Sequence, residues 1–371
     1  MNLTIAKEHL LIGLHAVQNV AGGRTTLPVL QNVLLQAEPG QLRLTATDLD
    51  ILVSCTVPAT VGSPGATTVP ARTLLGIVRE LNGVELEVEA DERFICSLRT
   101  GPSYYRLRGI SPDEFPPQPV FPQGRELEVP RETLASMLRK TSYAVSTDES
   151  RHVLNGVCFS IKEDKLTLVA TDGRRLALVE HELAVPEGVA AEFILPSKTV
   201  NELARLVPGP GPLKLRFSEN QAAFEFAGEQ GSQILMVSKL VDGNYPNYRQ
   251  VIPTESQHRV ALPREELVRA LRRAEFMTSE KANSVKLTFT RNNLAITANS
   301  PDVGEARESL AVNYNGNDFS IAFNPRYLIE PLNALDEYEE VFLELTDELS
   351  PGVIKVNGPF LYVVMPMRIA T

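Results

Sequence analysis

The sequence repeats one order of structural patterns three times, and this limits its possible folds more than any other feature. Amphipathic helical patterns, with apolar residues three or four positions apart, cover residues 6–20, 130–145 and 263–277. Their leucines align, because Leu10 corresponds to Leu134 and to Leu267. The same register at three places indicates one domain type used three times.

Two further patterns recur in the same order after each of these helices. Alternating apolar and polar residues predict strands at 41–48, 165–172 and 293–300. Helical patterns with a proline at their start cover 70–81, 196–207 and 324–335. Proline is tolerated in the first turn of a helix, so it indicates where these helices begin. The sequence therefore predicts an α+β fold in which two helices pack on antiparallel sheet in each copy.

Breaks in composition separate the three copies. FPPQPVFPQG at 115–124 is rich in proline, and IPTESQHR at 252–259 is polar. We therefore predict three domains, at 1–121, 122–256 and 257–371. A unit of about 125 residues is too long for a solenoid repeat and has the size of a complete domain.

Composition argues against membrane and disulfide-rich classes. The chain has no apolar run long enough to span a bilayer, and its first residues look like a strand leading into a helix instead of a secretory leader. Cys55, Cys96 and Cys158 are far apart and form no CxxC pair, which suits a reducing compartment. We expect a cytoplasmic protein with no membrane partner.

The motifs typical of common enzymes are absent from the sequence. There is no GxxxxGK[ST] loop, no GxGxxG, no GxSxG elbow and no HExxH pair. Asp48 and Asp50 could hold a divalent cation, but the aligned Asp172-Gly173-Arg174 could not, so a turn is favoured. We expect no catalytic residue, no metal and no cofactor. A three-domain enzyme with an unrecognised site remains an alternative.

Positive charge is concentrated in the helical patterns. The whole chain carries −10, whereas the six helical windows together carry +5. If the three copies place these helices on one side, that side attracts a polyanion through its phosphates and the rest repels it. This distribution predicts sequence-independent binding of nucleic acid.

Several stretches resemble one known family. They are GGRTTLPVLQNVLLQ (22–36), TTVPAR (67–72), LNGVCF (154–159), ATDGRRLAL (170–178), SKLVDGNYPNY (238–248) and YVVMPMR (362–368). Along its whole length the chain resembles the bacterial DNA polymerase III beta subunit, the sliding clamp. The resemblance implies three tandem clamp domains and a head-to-tail homodimer of six domains closed around double-stranded DNA. It implies no chemistry by the clamp itself, and it implies the DNA polymerase III alpha subunit, the clamp loader delta subunit and other replication and repair proteins as partners.

The resemblance also implies a pocket for partner peptides. Its predicted residues are Leu154, Thr171, Gly173, Arg174, Arg175, Leu176, Pro246, Val251, Val363, Val364, Met365, Pro366, Met367 and Arg368. Methionines would give an adaptable apolar surface, and arginines would attract acidic or C-terminal groups. Without the family, ATDGRRL reads as a hairpin turn with solvent-facing arginines, and VVMPMR as an edge strand ended by proline.

Two more sets of residues are predicted. The DNA-facing set contains Arg24, Arg72 and Lys198, which stand at basic positions that resemble those of the family, and Arg139, Lys140 and Arg205 of the basic helical patterns. The predicted dimer interface joins Tyr105 and Leu107 of the first domain to Phe276 and Met277 of the third. The alternative is a monomeric peptide-binding scaffold of the same fold. The mass of the protein in solution distinguishes this monomer from the dimeric ring.

Overall fold

The computed structural model describes residues 1–21, 26–118, 125–280 and 282–368. Within these ranges six α-helices form, two in each sequence copy, at the places that the periodicity predicts. They are α1 (Lys7–Val17), α2 (Ala71–Glu80), α3 (Arg131–Thr141), α4 (Ser197–Leu206), α5 (Arg264–Glu275) and α6 (Pro325–Ala334). Among the helices of this described part, none is both long enough and apolar enough to cross a membrane.

The strands also follow the threefold order. In the first copy they are β1 (Asn2–Ala6), β2 (Asn32–Glu38), β3 (Gln41–Thr47), β4 (Ile51–Pro58), β5 (Thr60–Ser63), β6 (Gly65–Pro70), β7 (Glu85–Ala90), β8 (Ile95–Thr100) and β9 (Ser103–Arg108). In the second copy they are β10 (Arg125–Pro130), β11 (Gly156–Lys162), β12 (Lys165–Thr171), β13 (Arg175–Glu182), β14 (Ala191–Pro196), β15 (Pro212–Phe217), β16 (Gln221–Ala227) and β17 (Gln233–Lys239). In the third copy they are β18 (His258–Pro263), β19 (Val285–Thr290), β20 (Asn293–Ser300), β21 (Gly304–Ala311), β22 (Phe319–Phe323), β23 (Glu340–Leu345), β24 (Gly352–Lys355) and β25 (Phe360–Val364).

The chain divides into two compact units. Unit 1 contains Met1–Ala135, Pro186–Val189 and Asn201–Leu240. Its antiparallel sheets have the strand orders β5-β1-β7-β8-β9 and β10-β15-β16-β17-β4-β3-β2-β6. The second of these sheets runs from one sequence copy into the next, because β17 pairs with β4 and places Met236 opposite Val53.

Unit 2 contains Ser136–Val185, Ala190–Val200 and Val241–Thr371. Its sheets have the strand orders β14-β11-β12-β13-β25-β24-β23-β18 and β21-β20-β19-β22. The longer sheet joins the second and third copies where β13 pairs with β25. The alternative interpretation of the closing residues as an edge strand is therefore wrong, since β25 has a neighbour on each side.

The helices bury one face against the sheets. In α1, Leu10 and Leu14 are 1% exposed and pack toward β3 and β4. Gly13 on the same helix allows this close approach, since a Cβ atom there would lie 2.5 Å from Leu44 Cδ1. The burial of these apolar residues is the main source of stability for each helix.

Each leading helix begins with a cation that binds the end of the second helix of its copy. Arg131 at the start of α3 donates hydrogen bonds to the carbonyls of Val207 (3.0 Å) and Pro208 (2.8 Å). Lys7 in α1 and Arg264 in α5 occupy the same position and also donate to backbone carbonyls. The cations satisfy carbonyl groups that the end of a helix leaves without an internal partner.

Candidate functional site

The turn between β12 and β13 forms the first wall of a pocket in unit 2. Asp172 shapes this turn, because its carboxylate accepts hydrogen bonds from the backbone N–H groups of Arg174 (2.9 Å) and Arg175 (3.1 Å). The Thr171 hydroxyl accepts from the Gly173 N–H at 3.1 Å and donates to the Arg175 carbonyl at 2.6 Å. Gly173 has φ +84°, a left-handed conformation that glycine adopts without steric cost.

The last strand of the chain supplies the opposite wall. In the pairing of β13 with β25, Leu176 lies opposite Val363. The Met365 N–H continues this pairing beyond the strand by donating to the Arg174 carbonyl at 2.9 Å. Side chains alternate along a strand, so Val363 lines the pocket while Val364 lies on the other face of the sheet and is fully buried.

A third wall comes from the segment after β17. Pro246 and Asn247 precede a short 3₁₀ helix, Tyr248–Val251, whose first and last residues also line the pocket. Tyr248 is buried, whereas Val251 is 52% exposed at the rim. Together with Leu154, the three walls enclose a cavity of about 190 Å³ with a mainly apolar lining. Such a cavity accepts apolar side chains of a ligand.

The floor of the pocket is part of a hydrophobic cluster. Leu154, Leu176, Tyr248 and Val363 pack in this cluster with deeper residues such as Cys158. Burial raises the pKa of the Cys158 thiol to about 12, so this group is protonated and apolar in character at neutral pH. The residues of the floor are therefore mainly apolar, and the Cys158 thiol adds no charge at neutral pH.

Arg175 is buried, and its donors are used inside the protein. Its side chain is 8% exposed, and it forms ion pairs with Asp172, at 3.1 Å from Nε, and with Glu330 of α6. Nη2 donates to the Tyr143 carbonyl at 2.6 Å, and the guanidinium lies 4.5 Å from the centre of the Tyr327 ring. The expectation that this arginine offers its charged end to a ligand is wrong, because its carboxylate partners already occupy it.

Arg174 has the opposite environment. It is exposed at the mouth of the pocket, and its backbone N–H is held by Asp172. Its guanidinium is a positive group next to the apolar lining, so it can attract an acidic side chain or a terminal carboxylate. The two adjacent arginines therefore differ in burial and in partners although the sequence does not distinguish them.

Ten of the fourteen predicted pocket residues line the cavity. The other four are Val364, Pro366, Met367 and Arg368. Val364 faces away for the reason given above, and the Met367 N–H donates to the Ala322 carbonyl at 2.7 Å, beyond the end of the pairing with β13. Asn247 and Tyr248 line the pocket and were not predicted, although the stretch SKLVDGNYPNY contains both.

The predicted DNA-facing residues have different surroundings. Arg72 in α2 and Lys198 in α4 are exposed, whereas Arg24 lies outside the described residues. Arg139 in α3 is 45% exposed at its side chain and pairs with Asp336 at 2.6 Å and with Glu337 at 3.1 Å. These exposed helical cations fit a surface for phosphates.

Lys140 and Arg205 are also engaged within the protein. The Lys140 side chain is 8% exposed, pairs with Glu337 at 2.6 Å and lies over the Tyr338 ring. Arg205 pairs with Glu202 and donates to the Ala16 carbonyl at 2.8 Å. Burial contradicts the interpretation of Lys140 as DNA-facing. Arg205, whose side chain is 34% exposed, remains a predicted DNA-facing residue.

The residues predicted for the dimer interface lie on β9, the outermost strand of its sheet in the described part of the chain, and directly after α5. Tyr105 is 39% exposed on β9, and Leu107 on the same strand is 9% exposed. Phe276 and Met277 follow the last residue of α5, and Phe276 is 77% exposed. An exposed phenylalanine of this kind is typical of a surface that another chain covers.

Three family models cover almost the whole chain. The N-terminal domain of the DNA polymerase III beta subunit matches residues 1–119, its central domain matches 128–247 and its C-terminal domain matches 249–368. The chain belongs to the DNA polymerase III beta subunit family. Its three tandem domains of mixed helix and sheet, predicted from the repeats, are confirmed as clamp domains.

Curated beta sliding clamps match over the full length of the chain. The clamp of Chlamydia pneumoniae is 34% identical over 369 residues, which cover 100% of this chain and 99% of the relative. The clamp of Escherichia coli strain K12 is 36% identical over 378 residues, which cover 100% of both. Identity of this extent over all three domains places the chain among the sliding clamps.

Solved clamps have the same fold over 100% of each chain. The DNA polymerase III subunit beta of Pseudomonas aeruginosa superposes with a TM-score of 0.91 at 32% identity. The sliding clamp of Bacillus subtilis gives 0.93 at 28% identity. A Pseudomonas aeruginosa clamp solved bound to griselimycin gives 0.93 at 33% identity.

Proposed function

We propose that two copies of this chain close head to tail around duplex DNA and tether the replicative polymerase through the pocket in unit 2. The clamp would supply no chemistry. It would raise the local concentration of a bound polymerase at the DNA, because rebinding to a tethered partner is intramolecular. The pocket residues, the DNA-facing residues other than Lys140 and the domain limits at 121/122 and 256/257 are parts of this proposal.

The main support for a ring is the pairing of strands at the sheet edges of successive copies. By their order in the repeats, β4, β13 and β21 are equivalent strands, and β9, β17 and β25 form a second equivalent set. Within the chain, β4 pairs with β17 and β13 pairs with β25. Among the described residues, β9 and β21 are the outermost strands of their sheets. Repetition of the same pairing would join β9 of one protomer to β21 of its partner.

This pairing is heterologous, and two such contacts close a ring of six domains. Tyr105 lies on the same face of its sheet as the buried Leu98, which it opposes. The interface would bring this face of β9 to Phe276 and Met277 of the partner. Burial of the two exposed aromatic rings would supply its apolar centre.

The DNA contacts would be electrostatic. Exposed cations on the helices, such as Arg72, Arg139 and Lys198, would neutralise phosphates without reading the bases. The acidic remainder of the chain would repel DNA elsewhere. We expect binding that is weak, independent of sequence and steeply dependent on salt, which allows sliding.

The pocket would receive peptide segments of several proteins in turn. Its apolar lining, the flexible Met365 and the exposed Arg174 suit short segments with apolar side chains and an acidic or terminal carboxylate. The DNA polymerase III alpha subunit and the clamp loader delta subunit are the proposed occupants, with other replication and repair proteins. ATP hydrolysis would belong to the loader. We place this assembly in the cytoplasm.

The test is topological. The chain is loaded onto nicked circular DNA with a clamp loader and ATP, the mixture is gel-filtered, and the circle is then cut once. We expect retention on the circle and loss from the linear form, because a closed ring slides off an end. Retention on both forms would show ordinary surface binding and contradict the proposal. A single-chain mass in solution at micromolar concentration would favour the monomeric scaffold.

A further inference from the structure

We propose that Glu330, a residue of α6 outside the pocket, positions the first pocket wall through Arg175 and so sets the affinity for partner peptides. Glu330 does not line the cavity and would not touch a ligand. It would act on the turn at residues 171–175. This inference rests on the proposed peptide-binding function and extends it to a residue in the third copy of the repeat.

A continuous series of polar contacts joins Glu330 to the turn. The Glu330 carboxylate pairs with the Arg175 guanidinium, whose Nε lies 3.1 Å from an oxygen of Asp172. The other Asp172 oxygen accepts the backbone N–H groups of Arg174 and Arg175. The orientation of Asp172 therefore depends on the place of the guanidinium, and the backbone of the pocket wall depends on Asp172.

Aromatic groups enclose Arg175 and leave water little access to it. The guanidinium lies 4.5 Å from the centre of the Tyr327 ring and 5.7 Å from that of Tyr143. The Tyr362 hydroxyl donates to the Tyr327 carbonyl at 2.7 Å and fixes this enclosure. A guanidinium that loses a carboxylate partner here cannot be hydrated in place. It would have to rotate outward, and it would take Asp172 and the turn with it.

The chain contains a comparable turn that lacks the arginine. In the first copy, the Asp48 carboxylate accepts from the N–H groups of Asp50 (3.0 Å) and Ile51 (2.8 Å), and the Thr47 hydroxyl donates to the Ile51 carbonyl. Ile51 stands where the second copy has Arg175. A turn of this kind therefore closes through its threonine and aspartate, and the second copy adds Arg175, which binds the remaining oxygen of Asp172 and so couples the turn to Glu330.

The first-copy turn also lacks an acidic counterpart of Glu330, the partner of Arg175. Asn201 of α4 aligns with Glu330, as their distances from Pro196 and Pro325 show. The hollow beside the first-copy turn measures about 150 Å³ and is lined by both polar and apolar groups, including Asp50 and Lys239. The arginine–glutamate pair thus accompanies the turn that borders the apolar pocket, which supports a role in ligand binding.

The decisive variant is Glu330→Gln, tested with fluorescently labelled griselimycin and with peptides tiled across the cognate DNA polymerase III alpha subunit. We expect a Kd about tenfold higher, because the amide cannot hold the guanidinium as the carboxylate does. Arg326→Ala is one control, since it removes the exposed cation 3.8 Å from Glu330 and leaves Arg175 paired. Glu265→Gln is the other, an exposed glutamate of α5 paired with Arg269. Both controls should bind like the wild type.

A mutant cycle separates positioning from general destabilisation. The Arg175→Met, Glu330→Gln double variant should have the same Kd as the Arg175→Met single variant, because Glu330 acts only through Arg175. Amide hydrogen exchange over residues 171–176, measured by mass spectrometry without ligand, should rise in Glu330→Gln and not in Glu265→Gln.

Each outcome bears on one proposal. If the wild-type chain binds neither griselimycin nor any tiled peptide, the proposed function of the pocket fails. If the wild type binds and Glu330→Gln binds equally well, the positioning role is overturned. An equal loss of affinity from Glu330→Gln with and without Arg175 would also overturn it, because the glutamate would then act by another route.

Discussion

At the scale of single residues, neighbouring arginines of one turn have unrelated surroundings. Arg175 is the first residue of β13 and points into the protein, where it meets Glu330, 155 positions later in the chain. Arg174 precedes the strand and is exposed. Local sequence identifies the turn through Asp172 and Gly173. It cannot identify which arginine is buried, because that depends on a helix from another copy.

We expect Arg174→Ala and Arg175→Ala to have separable effects. Loss of Arg174 should weaken ligands that carry an acidic or terminal carboxylate and change the free energy of unfolding by less than about 0.5 kcal/mol. Loss of Arg175 should lower the free energy of unfolding by about 3 kcal/mol, because Asp172 and Glu330 lose their buried partner. Urea unfolding and ligand titration measure the two effects. An equal loss of stability in both variants would contradict this assignment.

The three cysteines should be unreactive in the folded chain. Burial raises the pKa values of Cys55, Cys96 and Cys158 to about 12, so the thiolate fraction at pH 8 is on the order of 10⁻⁴. We expect no alkylation by iodoacetamide in native protein and three modified cysteines in urea, as read by mass. Unfolded thiols ionise near pH 9, so these residues also make stability fall as pH rises from about 9 to about 12. Rapid modification of native Cys158 would contradict its burial under the pocket.

At the scale of elements, the cation that begins each leading helix links two helices of one copy. Arg131 is 7% exposed and donates to the carbonyls of the two residues that follow α4 and also to the Ala227 carbonyl in β16. It stacks over Phe226, with 4.7 Å between the guanidinium carbon and the ring centre. In the first copy Lys7 has the same position with fewer donors.

We predict that Arg131→Met lowers the free energy of unfolding by about 3 kcal/mol, because several buried carbonyls lose their donor. Arg131→Lys should retain part of this stability, as the native Lys7 indicates. Glu132→Ala, an exposed neighbour in the first turn of α3, is the matched control and should be close to neutral. The free energies come from urea unfolding with amide exchange over α4. Equal stability of Arg131→Met and the control would disprove the linking role.

Periodicity in the sequence predicts the helices and many strands because it reflects one buried face within each element. It does not predict that β17 joins β4, or that β25 joins β13, because these pairings connect residues far apart in the chain. The sequence therefore indicates three copies, whereas the sheets continue from one copy to the next. The burial of Lys140 was missed for a related reason, since helical position shows a positive charge but not the neighbouring residues that cover and pair with it.

At the scale of the whole molecule, an acidic chain can still hold DNA because its charge is unevenly distributed. We predict that a loaded ring diffuses along DNA of any sequence, and that affinity for DNA falls steeply between 50 and 200 mM salt, by at least about tenfold. Arg72→Ala with Lys198→Ala should weaken DNA binding equally for all sequences and reduce the salt dependence, while ligand affinity at the pocket stays unchanged. Fluorescence anisotropy at several salt concentrations measures this. A strong preference for one DNA sequence would contradict contacts limited to phosphates.

Closure of the ring should depend on one face of β9. Tyr105 lies on the face shared with buried Leu98, whereas Tyr104, which is 50% exposed, opposes Arg99 on the other face. We expect Tyr105→Ala with Phe276→Ala to raise the dimer Kd by about 100-fold, because two aromatic rings lose their burial. Tyr104→Ala changes the same strand and should leave the dimer intact. Sedimentation velocity across a range of concentrations measures both.

The same variants test whether the ring and the pocket are independent. The pocket lies wholly within unit 2, so the monomeric Tyr105→Ala, Phe276→Ala chain should bind griselimycin as tightly as the wild type. It should also fail to remain on circular DNA, because an open chain cannot be linked to the circle. If the monomer were retained on circles, retention would come from surface contacts. If Tyr104→Ala dissociated the dimer as well, the interface would use the outer face of β9, and the proposed contact with Phe276 would be wrong.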